Sequence, residues 1–66
     1  MKLTINGAAR ELTDGSTLAQ LLDAELASTR GVAAAVDGEV VPRAGWADFA
    51  LTDGQDVELL TAVQGG

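Results

Sequence analysis

Two dipeptides, Asn6-Gly7 and Asp37-Gly38, restrict the fold of this chain more than any other feature. The common two-residue hairpin turn needs positive φ at both central positions, which Gly takes freely and Asn or Asp takes more readily than other residues. Each dipeptide therefore predicts a tight antiparallel hairpin. Lys2 to Ile5 alternates, with Leu3 and Ile5 on one face. Ala8 to Leu12 returns as a second strand with Leu12 inward, although Ala8 and Ala9 give it little intrinsic strand preference. Around the second turn, Val32 to Val36 contains three alanines that favour helix, but the glycine before it and the turn after it favour a short buried strand. Glu39 to Val41 is the return strand. Pro42 marks its end or an edge, because proline brings no amide hydrogen to a ladder.

Between the hairpins, Asp14-Gly15 breaks the chain, and Thr17 with Gln20 forms a capping box ahead of a periodic segment. Leu18, Leu21, Leu22 and Leu26 fall on one helical face, Ala24 and Ala27 add helix propensity, and Asp23 and Glu25 take wetter positions. Gly31 is expected to mark the exit, with Arg30 near the negative end of the helix. Pro42 to Ala50 reads as irregular or as one short helical turn, with Trp46 and Phe49 three apart and able to seal one end of a small core. Phe49 is assigned to that core. For Trp46, core and partner-binding anchor stand level, since large indoles are seldom fully buried and Trp is common at binding hot spots. Arg43 beside them reads either as a solvated turn charge or as a contact to a partner carboxylate.

The last ten residues form a strand that follows the turn Asp53-Gly54 and runs into Gly65-Gly66. Two residues without a Cβ let a terminal carboxylate enter a channel too narrow for any other pair, so this end reads either as a carboxylate presented to an enzyme or as a frayed terminus. With Val57 and Leu59 facing the core, Glu58, Leu60 and Ala62 fall on the opposite face. Leu60 and Ala62 are then candidate partner contacts, with Val63 and Gln64 bridging into the partner's channel. The expected organisation is a folded domain over residues 1–62 and a flexible reactive tail over 63–66. The order β-β-α-β-β-turn-β predicts an α+β domain in which one main helix packs across a mixed sheet of about five strands. Placing the fifth strand beside the first makes this a β-grasp, the ubiquitin-like arrangement.

Composition narrows the chemistry. The chain has no cysteine and no histidine, and Ser16 and Ser28 have no imidazole partner, which removes thiolate and triad chemistry and His/Cys metal clusters. Only a hard metal on carboxylates remains, and none of the acids falls in a calcium-loop pattern. A chain of 66 residues buries roughly 60% of its unfolded surface and has no room for a deep pocket, so it is not expected to be an enzyme by itself. Its net charge of −6 has the wrong sign for nucleic acid and suits basic protein partners. No apolar run is long enough for a signal peptide or a bilayer span, so no membrane partner and a cytosolic location are expected.

The chain resembles the sulfur-carrier family of thiamine biosynthesis along nearly its whole length. The resemblance is carried by the Asn6-Gly7 hairpin, Thr17-Leu18 leading to Leu21-Leu22, the stretch from Val36 that ends Val41-Pro42-Arg43, Trp46, Asp53-Gly54, and the end Thr61-Ala62-Val63-Gln64-Gly65-Gly66. No clear departure from the family's pattern is visible. The resemblance implies that the Gly66 carboxylate is adenylated by an ATP-dependent activating enzyme. It is then converted to a thiocarboxylate with sulfur that a cysteine desulfurase draws from cysteine, and thiazole synthase accepts that sulfur. On this reading the chain holds no bound cofactor and no catalytic residue of its own. Gly65 and Gly66 are its reactive end, and Leu60, Ala62, Val63, Gln64, Arg43 and Trp46 are the candidates for partner contact. The alternatives are the small subunit of molybdopterin synthase, which resembles this chain less in length and around Val-Pro-Arg and Trp46, and a ubiquitin-like interaction module without sulfur chemistry.

Overall fold

The computed structural model describes residues 1–61. Strands β1 (Lys2–Ile5) and β2 (Ala8–Glu11) precede helix α1 (Leu18–Glu25); β3 (Val32–Val36), β4 (Glu39–Val41), a 3-10 helix (Arg43–Asp48) and β5 (Asp56–Thr61) follow. Both dipeptide turns take the conformation their residues favour, with φ of 51° and 83° at Asn6 and Gly7 and of 50° and 85° at Asp37 and Gly38. Each folds its flanking strands into an antiparallel pair, Ile5 opposite Ala8 and Val36 opposite Glu39. The two hairpins do not pair with each other. β5 lies between them, parallel to β1 and antiparallel to β3, giving one mixed sheet in the order β2-β1-β5-β3-β4. This is the β-grasp arrangement expected from the element order.

Period-two alternation sends Leu3, Ile5, Val32, Ala34, Val36, Val41, Val57 and Leu59 to one face of the sheet, where all are buried. α1 covers that face with Leu18, Leu21 and Leu22, and among the described residues no helix packs on the other side of the sheet. The helix begins where its cap says it should. The Thr17 amide donates to Gln20 Oε1 at 2.9 Å, and the Gln20 amide donates to Thr17 Oγ1 at 3.2 Å. A third amide at the helix start, that of Leu18, donates to the Phe49 carbonyl at 2.9 Å, so the segment after the 3-10 helix also serves as a cap.

The helix ends earlier than the sequence suggests. Glu25 is its last residue, and Leu26 is already extended, with φ −126° and ψ 140°, so neither Gly31 nor Arg30 stands at its C-terminus. Leu26 is half-buried against the core, and its amide still donates to the Leu22 carbonyl. Beyond it, the Ser28 hydroxyl accepts the Arg30 amide, a local hydroxyl-to-backbone bond that competes with helix continuation. Gly31, at φ 68°, turns the chain into β3 instead.

Of the two aromatics, Trp46 takes the core alternative, and Phe49 packs against the core from its edge. Trp46 is buried, 5% exposed, and its indole N–H donates to the Val41 carbonyl at 2.8 Å, which satisfies the polar atom that usually keeps an indole at the surface. Phe49 is only half-buried, packed against the edge of the core. Leu51, which drew no notice in the sequence, is buried as well, and its amide donates to the Ser16 carbonyl.

Candidate functional site

β5 is fixed first at its start. The Asp37 carboxylate accepts the Asp56 amide at 2.9 Å, and the Asp37 amide donates to the Asp56 carbonyl at 2.8 Å, which ties the second hairpin turn to the strand. Thr4 Oγ1 donates to the Asp56 carboxylate at 2.7 Å, the Asp53 carboxylate accepts the Lys2 amide at 2.6 Å, and the Gly54 amide donates to the Lys2 carbonyl. These acids serve as acceptors at turns and strand ends. Among the described residues no group of three acids gathers in a way that could hold a metal.

β1 is shorter than β5, and Asn6 makes up part of the difference. Its backbone amide donates to the Val57 carbonyl at 2.9 Å, as the ladder requires. Its side chain then stands in for a further peptide unit: Oδ1 accepts the Leu59 amide at 2.8 Å, and Nδ2 donates to the Leu59 carbonyl at 3.4 Å. One residue thus shapes the first turn and extends the pairing of the central strand. An Asn-Gly pair signals the turn through φ alone and gives no sign of this second pairing.

The uncovered face of the sheet carries the second feature. Leu60 projects from β5 at 70% exposure and Val40 from β4 at 73%, and they flank a shallow apolar depression floored by Ala33 and Ala35, with Glu58 at its edge. Leu60 therefore lies on the face expected for it. Val40 was missed, because a Val-Val pair in a short strand does not say which of the two points inward. Arg43 is exposed, and its guanidinium also makes contacts within the chain that the sequence did not indicate. Its exposed guanidinium lies 4.7 Å from the centre of the Trp46 ring, with Nη1 donating to Thr29 Oγ1 at 3.2 Å and Nη2 to the Thr29 carbonyl. Arg43 clamps the loop after α1 to the 3-10 helix. Trp46 lies buried beneath it. Ala62, Val63, Gln64, Gly65 and Gly66 lie outside the described residues.

A central strand held at its start and along both sides, leading towards a Gly-Gly end, matches a known family. The ThiS family model covers residues 3–66. The chain belongs to the ThiS family. The sulfur carrier protein ThiS of Escherichia coli is 30% identical over 66 residues, which is the whole of both chains. A thiazole synthase of Paramagnetospirillum magneticum is 35% identical over the same 66 residues, and there the chain spans only 20% of the relative's length. The crystal structure of a thiamine biosynthesis protein (ThiS) from Geobacter metallireducens superimposes with a TM-score of 0.86 at 30% identity, over the full length of both chains. A solution structure of the protein from the same organism gives a TM-score of 0.79, covering all of this chain and 88% of the other. The ThiS likeness thus extends over fold and sequence together, and it includes the two glycines at positions 65 and 66.

Proposed function

We propose that this chain is the sulfur carrier of thiamine biosynthesis, and that the reacting group is the carboxylate of Gly66. A free α-carboxylate, with a reference pKa of about 3.3–3.7, is ionised at neutral pH and is a poor electrophile. An ATP-dependent activating enzyme therefore joins it to AMP and releases pyrophosphate. A desulfurase takes sulfur from cysteine as a persulfide, whose outer sulfur displaces AMP to give an acyl disulfide; a thiol reductant then cleaves the S–S bond and leaves a thiocarboxylate, which thiazole synthase takes as its sulfur source. The chain supplies the handle and its partners supply the catalysis, in the cytosol where ATP is at hand. The observation that carries this reading is the match over the whole of both chains with a protein named as a sulfur carrier. A polypeptide named thiazole synthase that contains a segment 35% identical to this chain supports the choice of acceptor.

The experiment is the intact mass of the chain isolated from cells that make thiamine. The expected species is heavier than the unmodified chain by the difference between one sulfur and one oxygen atom, with fragmentation assigning the change to Gly66. A chain that carries only oxygen there, and that forms no adenylate with the activating enzyme and ATP, would overturn the proposal. Copurification with a large molybdopterin synthase subunit in place of thiazole synthase would move the carrier to that pathway.

A further inference from the structure

β1 and β5 run parallel, with Thr4 beside Asp56 and Ile5 beside Val57. Continued in the same register, β1 would bring position 8 alongside Leu60. The chain instead turns back at Asn6-Gly7, and Ala8 lies across from Ile5 in β2. Among the described residues, nothing fills the lane beside the last residues of β5. A side chain at Gly7 would meet no atom within 4 Å, so the turn does not block it.

The direction of the β5 backbone follows from its bonds. The Val57 carbonyl and both backbone groups of Leu59 are engaged on the β1 side, by the Asn6 amide and the Asn6 side chain. Backbone polarity alternates along a strand, so the N–H and C=O of Thr61 point to that side too, past the reach of Asn6. On the opposite side Leu60 is paired with Ala33 and Thr61 lies opposite Val32, where β3 begins. Among the described residues no group bonds the Thr61 backbone in the open lane. Leu60 is exposed because it faces the side of the sheet that α1 does not cover, and its neighbour on β3 is the small Ala33.

We propose that the sulfur-accepting enzyme docks by adding an extended segment of its own to β5 in this lane, pairing with the N–H and C=O of Thr61 and laying an apolar side chain over Leu60. The proposal rests on the reading that another enzyme acts on Gly66. Strand addition suits the surface because main-chain bonds give affinity while alternate side chains give selectivity. The charge of the face describes the partner. The other outward side chains of β5, Asp56 and Glu58, are acids on a chain of net charge −6, so the surface around the added segment is basic.

The test uses the full chain, labelled with nitrogen-15, and purified thiazole synthase. Amide exchange at Thr61 is expected to slow when the synthase is added, and Thr61→Pro, which removes that single donor, is expected to weaken binding by about three- to tenfold. The Thr61 amide points away from β3, so this proline leaves the β3–β5 ladder whole, and Thr61→Val, which keeps the amide, binds as the parent does. Should Thr61→Pro lose its circular dichroism spectrum, exchange at Thr61 in the parent decides. An amide that exchanges equally fast free and bound, or a folded proline variant that binds as tightly as the parent, overturns strand addition and leaves the carrier function standing. A parent chain that does not bind the synthase at all overturns both.

Discussion

Asn6 shows how much one side chain can carry in a domain of this size. It takes positive φ in the turn, and its amide completes both backbone groups of Leu59 at the point where β1 has run out. Asn6→Gly keeps the turn conformation and deletes only the side-chain pairing. It is expected to lower unfolding free energy by about 1–3 kcal/mol, since part-buried backbone groups lose their partner. Urea denaturation reads this directly, and a midpoint equal to the parent's would show that water replaces the carboxamide without loss. Leu22 belongs to the same scale. It is fully buried between helix and sheet, and Leu22→Ala should cost about 2–5 kcal/mol, a large part of the stability of so small a domain. Fluorescence of Trp46 during denaturation reports it, and a parent-like midpoint would mean that the cavity collapses. Trp46 itself was only half legible. An indole is readily assigned to core or surface when its environment is known, and here the deciding atom is the Val41 carbonyl, presented only because β4 stops at Pro42.

At the scale of the element, α1 has eight residues and is too short to persist alone in water, so its ends are held by what surrounds them. Thr17→Ala removes the hydroxyl half of the capping box and should cost about 0.5–2 kcal/mol, with the largest loss of amide protection at Gln20. Unchanged exchange at Gln20 would show that the Phe49 carbonyl on Leu18 suffices to hold the helix start. The start of this helix was legible because a capping box is local chemistry. Its end was not, because the loop beyond it is held from a distance by Arg43 on Thr29. Arg43 had been weighed for its charge alone, and the clamp joins residues 14 apart, a separation no local pattern reports.

In the whole molecule, stability and reactivity are separated along β5. Val57 and Leu59 are the last core residues on the strand, and the proposed chemistry lies beyond them. Deletion of Gly66 should leave the thermal midpoint unchanged and abolish ATP–pyrophosphate exchange with the activating enzyme; a lowered midpoint or surviving exchange would count against that separation. The sequence by itself determined both hairpins, the helix start, the inward faces of β1 and β5 and the Gly-Gly end, because each depends on φ preferences, a cap or period-two alternation within a few residues. It also favoured β5 beside β1 on grounds of economy. Only the tertiary structure decided which side-chain amide would finish the β1–β5 ladder, how deep Trp46 would lie, and that β1 would turn away before β5 ends. Those outcomes depend on where strands distant in sequence start and stop against one another, and the open lane beside Thr61 exists for that reason.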